Sequence, residues 1–223
     1  HGTVSGGSTV IFPEGTTSDR DINGFFLTHP NKNWLNSSHN TTETGAYIDI
    51  PVSDIFDIAT GDFTIECWFK YAFTNIGSSY NVIVSCGSGG AGFQIMVSET
   101  KIIFFVNGVA IDDNSFNNTG EWYHVVGLRT TGACKLYVNG VLKETIAAGG
   151  NEANTITNTT LGMRIGGDIV AAETDTFYND AIDDVRFYNR ALTDGGVSDE
   201  EIAGGEIAKN YRHGTAKHKP LGS

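Results

Sequence analysis

The segment that decides the fold is residues 63–70, which read Phe-Thr-Ile-Glu-Cys-Trp-Phe-Lys. Every second side chain from Phe63 to Phe69 is apolar, and Thr64 and Glu66 lie between them. An apolar period of two is typical of a β-strand that buries one face. We therefore predict a strand here, with its apolar face in the core of the domain.

Two further segments predict β-hairpins with tight turns. Asn107-Gly108 and Asn139-Gly140 each lie between arms rich in β-branched and aromatic residues. The Asn-Gly pair accepts positive φ at both central positions of a type I′ turn, which is the strongest short-range hairpin signal. Between the two hairpins, residues 122–129 alternate with the same period of two and predict another strand.

The composition agrees with many short strands joined by turns. The 223 residues include 28 glycines but only 4 prolines, and 11% are aromatic. A helix is predicted only at the C-terminal end, where Ser198 and Glu201 have the spacing of a capping box. We predict an all-β fold, a two-sheet antiparallel β-sandwich (jelly roll) with one short C-terminal helix.

Charge and cysteine spacing exclude several classes of partner. The net charge is −12, which disfavours nucleic acid and anionic membranes because phosphate groups bind clustered Lys and Arg. No apolar run approaches eighteen residues, so we expect no membrane insertion. Cys67, Cys86 and Cys134 form no paired motif, which argues against a zinc knuckle, and Cys67 is predicted to be a small core residue.

The chain is predicted to form one domain with an attachment at each end. Residues 46–211 form the sandwich, and residues 1–45 form an N-terminal extension with an edge strand that packs on the domain or attaches it elsewhere. Residues 212–223 form a basic tail. The tail is either solvated, as termini commonly are, or makes a contact to an acidic neighbour.

Four segments in order resemble the concanavalin A-like lectin/glucanase superfamily, in its laminin-G-like branch. They are Gly61–Phe69, Trp122–Val126, Lys135–Gly140 and Ala181–Leu192. The resemblance covers roughly residues 46–211 and implies the jelly-roll fold. Members of this branch bind glycans or proteins, accompany catalytic domains, or decorate cell and virus surfaces. The first 45 residues exceed the short lead-in strand of the family.

The residues argue against an enzyme. A glycosidase needs two carboxylates about 5–10 Å apart that flank the scissile bond. The hydrolytic members that this chain resembles carry theirs as alternating acids on one strand. No such run occurs, because Glu66 is flanked by Thr64 and Trp68, and Asp183 and Asp184 are expected to point to opposite faces.

Asp183 and Asp184 are the main candidate metal ligands. Alternation predicts Asp183 on the face of Val185 and Phe187, and Asp184 on the face of Arg186. One carboxylate is then partly buried and needs a partner, which is a backbone N–H, Arg186 or a calcium ion. Calcium is common at the sandwich rim of the families that this chain resembles.

Two further acids, Asp112 and Asp168, are weaker candidate calcium ligands because they lie in oxygen-rich stretches. Acids at such positions also occur without a metal, so both interpretations remain open.

Glycan binding requires an exposed aromatic side chain beside amides or carboxylates. Trp34, Tyr80 and Tyr178 lie in polar stretches and are the candidates, although each ring can instead fold over a sheet edge. Trp68 is predicted to be core, and its alternative is the floor of a concave binding face with Glu66.

The predicted function is therefore a non-catalytic recognition module that binds carbohydrate or a surface partner, with calcium as a candidate cofactor. The alternative is a structural or decoration protein of a virion or extracellular assembly, displayed with the sandwich outward. The expected partners of the chain are glycans or surface proteins. Homo-oligomers or assembly with other structural proteins are further options. Either function places the chain outside the cell or on a virion surface.

Overall fold

The computed structural model describes eleven stretches of the chain. They are residues 3–4, 26–27, 47–71, 80–88, 91–117, 120–147, 149–157, 160–170, 178, 181–195 and 204–218. For residues 3–4, 26–27 and 88 the backbone alone is described. The predictions for Trp34 and for the Ser198 helix cap lie outside these residues.

The described residues form two antiparallel sheets and one helix. The strands are β1 (Thr3–Val4), β2 (Phe26–Leu27), β3 (Ile48–Ile50), β4 (Phe63–Lys70), β5 (Asn81–Ser88), β6 (Ala91–Val97), β7 (Ile102–Val106), β8 (Val109–Asp113), β9 (Trp122–Arg129), β10 (Ala133–Val138), β11 (Val141–Ala147), β12 (Met163–Ile165) and β13 (Ile182–Tyr188). The helix α1 spans Gly205–His218. The predicted β-sandwich with a C-terminal helix is confirmed.

The two sheets differ in size and order. The seven-stranded sheet runs β1-β3-β12-β5-β6-β7-β8, and the six-stranded sheet runs β11-β10-β9-β4-β13-β2. Strand β4 pairs with β9 on one side and with β13 on the other. These three strands form the central part of the six-stranded sheet, and they position the polar side chains described below.

The main core lies between the sheets and is rich in aromatic rings. Phe63 packs on Phe93 with 4.8 Å between ring centroids, and Phe93 stacks on Phe187 at 5.7 Å. The apolar face predicted for β4 is confirmed, since Phe63, Ile65, Cys67 and Phe69 have no exposed surface. Burying a large apolar side chain of this kind stabilises the fold by about 1.5–3 kcal/mol.

Both predicted hairpin turns are confirmed by their backbone angles. The φ values are 47° at Asn107 and 86° at Gly108, and they are 52° at Asn139 and 77° at Gly140. Positive φ at both central residues is the condition for a type I′ turn. The Asn139 side chain also accepts a hydrogen bond from the His124 N–H at 3.0 Å, which ties this turn to β9.

Helix α1 covers the outer face of the six-stranded sheet. Beneath it is a second apolar cluster, formed by Val126, Leu128, Tyr137, Tyr188, Leu192 and Ile207. The helix begins at Gly205, and Thr193 caps it by accepting the Glu206 N–H on its hydroxyl at 3.0 Å. Glu206 in turn accepts the Thr193 N–H at 3.0 Å.

The helix also extends beyond residue 211, where the sandwich domain is predicted to end. Residues 212–218, predicted to be part of the basic tail, form the last turns of α1. Within the described part of the chain, no helix has the length and apolar character needed to cross a membrane.

Candidate functional site

Polar side chains gather between α1 and the six-stranded sheet. We call this set the buried polar layer; its members are Glu66, Trp68, His124, Asp183, Asp184, Arg186, Lys217 and His218. Five of these positions follow from strand register, because Trp68 lies opposite both His124 and Asp183, and Glu66 lies opposite Arg186. Side chains at paired positions share one face of a sheet.

A β-bulge in β13 determines which residues face the helix. The register shifts between Asp183 and Arg186, and Asp184 has a φ of 48°. Asp183 and Arg186 therefore lie on the same helix-covered face. The prediction that Asp183 shares a face with Val185 and Phe187 is wrong, because the extra residue of a bulge interrupts the period of two.

Glu66 is a buried carboxylate at the centre of this layer, with 1% of its surface exposed. Its Oε1 accepts hydrogen bonds from Arg186 at 3.1 Å, Tyr188 at 3.1 Å and Asn210 at 2.9 Å. Its Oε2 lies 3.4 Å from Nε2 of His124. Burial alone would raise the pKa of Glu66, but these partners outweigh it and hold the pKa below its usual value.

Trp68 is enclosed by aromatic rings and by the helix backbone. Its ring lies 4.7 Å from His218, 5.2 Å from His124 and 5.9 Å from Tyr211, measured between centroids. Only 2% of its surface is exposed, which confirms the core assignment. The alternative, in which Trp68 and Glu66 form the floor of an open binding face, is wrong for this structure because α1 covers both.

The acidic end of the layer contains two buried aspartates, Asp183 at 1% exposure and Asp184 at 5%. Lys217 Nζ lies 2.6 Å from Asp183 Oδ2 and 3.5 Å from Asp184 Oδ1. Arg186 Nη2 lies 3.6 Å from Asp184 Oδ2, so the predicted pairing with Arg186 holds for Asp184. The acidic neighbour proposed for the basic residues is thus within the same chain.

His218 completes a group that can hold a cation. One ligand atom each from Asp183, Asp184 and His218 lie within 4.8 Å of one another. His218 Nε2 is 3.5 Å from Asp183 Oδ2. Burial lowers the pKa of His218, and the charge of Asp183 opposes that shift.

The other two predicted metal ligands lie apart from this group. Asp112 pairs with Lys101 at 3.2 Å on the β7–β8 hairpin. The Asp168 carboxylate accepts the Val170 N–H at 3.0 Å. Among the described residues, the group of acids and histidines with metal-binding spacing contains neither of them.

The aromatic glycan candidates have different environments. Tyr178 is 1% exposed, and its hydroxyl donates to the carbonyl of Lys70, so the expected exposure is wrong because the ring packs on Tyr71 and Phe69. Tyr80 is 37% exposed. Because Asn81 pairs with Val97, Tyr80 lies level with the turn that joins β6 to β7.

The helix face that covers the buried polar layer was not predicted from sequence. Ile207, Asn210, Gly214 and Lys217 follow one another at intervals of three or four residues, and His218 lies four residues after Gly214. This spacing indicates one face of an α-helix. When this spacing is followed as far as residue 218, it predicts a helix face that packs on the sheet and carries both apolar and polar side chains.

Comparison with known proteins identifies the family. Residues 41–198 match the Laminin G 3 family model, which is described as concanavalin A-like lectin/glucanases superfamily. The chain belongs to this family. Comparison of this chain with curated protein sequences found no match.

Solved structures show the same fold at low sequence identity. The binding domain of botulinum neurotoxin DC, in complex with rat synaptotagmin II, is 15% identical with a TM-score of 0.58, over 96% of this chain and 46% of that one. Botulinum neurotoxin type C, cell entry of which depends upon interaction with two ganglioside molecules, is 14% identical with a TM-score of 0.57, over 95% and 46%.

A third similar structure is the binding domain of Paraclostridial Mosquitocidal Protein 1. It is 16% identical with a TM-score of 0.54, over 78% of this chain and 42% of that one. The chain thus spans less than half the length of each of these three structures. At this identity the likeness shows the fold.

Proposed function

We propose that this chain is a non-catalytic recognition module that binds surface carbohydrate. The observation that carries the proposal is Tyr80, an aromatic side chain that is 37% exposed and lies immediately before the first residue of β5. A sugar ring presents C–H groups on its face, and an exposed aromatic ring offers an apolar surface with a polar tip for that face.

Polar groups adjoin Tyr80 at this end of the sandwich. The turn at residues 98–101 is closed by the Ser98 hydroxyl, which accepts the Lys101 N–H at 3.1 Å. This leaves Glu99 and Thr100 exposed. We call Tyr80 together with residues 98–101 the Tyr80 rim. Binding sites combine apolar contact with a few polar groups that fix orientation, and the Tyr80 rim offers both.

The positions of the buried acids support binding without catalysis. Hydrolysis of a glycoside requires two carboxylates that reach the scissile bond. Glu66, Asp183 and Asp184 lie under α1 and contact Arg186, Asn210 and Lys217. These acids stabilise the helix–sheet contact and are closed to an oligosaccharide.

Proteins of similar fold have protein as well as glycan partners, since one was solved in complex with rat synaptotagmin II, and two observations support a glycan here. The family includes lectins by its description. A protein of similar fold depends on gangliosides for cell entry, and a ganglioside presents a sugar headgroup. A glycan-binding role would place this module at an extracellular or virion surface.

The proposal is tested by a glycan array followed by titration calorimetry. We expect at least one array glycan to bind, and Tyr80→Ala to weaken that binding about tenfold without lowering the melting temperature. The control is Leu161→Ala, which removes a side chain of similar exposure, 36%, from the residues just before β12, whose Met163 pairs with Cys86 near the far end of β5. Equal affinities for the two variants, or an array without any bound glycan, would contradict the proposal.

Calcium and assembly are tested with the same material. Repeating the titration in EDTA shows whether calcium assists binding, and loss of affinity would add a cation to the site.

Size-exclusion chromatography with light scattering separates a monomeric module from the alternative function as a structural protein. A filament or a large assembly would favour that alternative.

A further inference from the structure

We propose that Asp183, Asp184 and His218 form a binding site for a divalent first-row transition metal, with Zn²⁺ as the reference ion. Lys217 supplies the neutralising positive charge at this site when no ion is bound. This inference is independent of the proposed glycan site, because the two sites share no residue. The metal ligands lie on the face of the six-stranded sheet that α1 covers, away from the main core.

The distances between the ligand atoms suit a single ion. One atom from each of the three side chains lies within 4.8 Å of the others, and Asp183 Oδ2 is 3.5 Å from His218 Nε2. Zinc binds carboxylate oxygen and imidazole nitrogen at about 2.0–2.2 Å, so two ligands of one ion are about 3–4 Å apart. Side-chain rotations that shorten the longest of these separations, at most 4.8 Å, to about 3–4 Å therefore complete the site.

The environment of His218 is the second, independent observation. Its side chain is 2% exposed, and Nε2 makes no hydrogen bond within the described part of the chain. The ring is held between Trp122 and Trp68, at centroid distances of 4.4 and 4.7 Å, with Nε2 directed at Asp183. A buried polar atom left without a hydrogen bond destabilises the fold, and a bound metal ion removes that penalty.

The bulge in β13 brings the two carboxylates to one side. Asp184 adopts a φ of 48°, which is unfavourable for a residue other than glycine, Asn or Asp. Both aspartates then face the end of α1, where two buried negative charges require a cation. In the structure Lys217 Nζ lies 2.6 Å from Asp183 Oδ2, and Arg186 Nη2 lies 3.6 Å from Asp184 Oδ2.

Lys217 also provides the route by which an ion enters. Its side chain is 31% exposed, so the ammonium group can turn into solvent and leave the carboxylates accessible. A metal ion and the ammonium group of Lys217 therefore compete for the same oxygen atoms. Removing the lysine should strengthen metal binding, whereas removing a true ligand should weaken it.

The ligand set favours a transition metal over calcium. Ca²⁺ takes six to eight oxygen ligands, and imidazole is not among its usual partners. Imidazole with carboxylates suits Zn²⁺ and its neighbours in the first transition row. Three protein ligands leave a fourth tetrahedral position for water.

The test is titration of the purified chain with Zn²⁺ and with Co²⁺, followed by calorimetry and by the visible absorption of bound Co²⁺. We expect His218→Gln to lower Zn²⁺ affinity at least about tenfold and Lys217→Met to raise it about tenfold, equivalent to 1.4 kcal/mol each. His213→Gln is the matched control, since His213 is exposed on the same helix. It should leave affinity unchanged.

Each outcome decides for or against the site. Zn²⁺ affinity that is equal in the wild type and His218→Gln, or unchanged in Lys217→Met, overturns it, as does Ca²⁺ binding tighter than Zn²⁺. Circular dichroism shows whether His218→Gln is folded. If it is not, Lys217→Met decides alone, because a structural ion pair predicts no gain in metal affinity.

Discussion

The backbone of α1 at Gly214 lies directly on the indole ring of Trp68. A Cβ atom built on Gly214 would come within 2.2 Å of Trp68 Nε1, closer than any real side-chain contact. The helix can approach the six-stranded sheet this closely only without a side chain at position 214. The buried polar layer on either side of this contact depends on the same approach.

Gly214→Ala should therefore destabilise the fold. Overpacking costs about 1–3 kcal/mol, which exceeds the ~1 kcal/mol by which alanine is the better helix former. Urea unfolding measures the difference. Gly132→Ala is the control, because a Cβ there meets no atom within 4 Å, and it should change stability by less than about 0.5 kcal/mol. Wild-type stability of Gly214→Ala would show that the helix does not dock as described.

Trp68→Ala tests the other side of the same contact. Truncating a buried tryptophan costs about 3–5 kcal/mol through lost apolar burial and the cavity left behind. Thermal and urea unfolding should both show this loss. A variant that melts with the wild type would mean that Trp68 is not part of the core.

Glu66→Gln should cost about 3 kcal/mol, because it removes the closer charged partner of Arg186, at 3.1 Å, and leaves Asp184 at 3.6 Å. Glu121→Gln serves as the control for loss of an exposed acid on the same sheet. Equal unfolding free energies for the two variants would refute a structural role for Glu66.

Glu206 should make the fold sensitive to acid. Its hydrogen bonds from Arg190 lower its pKa from about 4.5 to about 2, so the folded state favours the ionised form. This contribution to stability is complete above about pH 5 and is lost as the pH falls toward 2. Glu206→Gln should unfold at a lower urea concentration than the wild type at pH 7, and its stability should fall less than that of the wild type between pH 7 and pH 3. Parallel pH profiles for the two proteins would contradict this.

Local features of the sequence predicted the fold well. The alternation in β4 and the two Asn-Gly turns depend on neighbouring residues alone, so period and turn chemistry were sufficient. The resemblance in four segments agrees with the family match over residues 41–198.

The candidate sites depended on long-range contacts that the sequence does not display. A bulge moved Asp183 to the helix-covered face, and bulges arise from the pairing of two strands rather than from one segment. Tyr178 is buried because Tyr71 and Phe69 pack around it. The sequence pattern places His218 in a tail, whereas its contact with Trp68 requires the helix to continue to residue 218.

The central claim, recognition of carbohydrate without catalysis, is tested most directly by titrating the best array glycan into the wild type and into Tyr80→Ala. The length of the oligosaccharide is checked by chromatography before and after incubation. We expect saturable binding that Tyr80→Ala weakens about tenfold, with the oligosaccharide recovered intact. Cleavage of the oligosaccharide, or equal affinity in the two proteins, would contradict it.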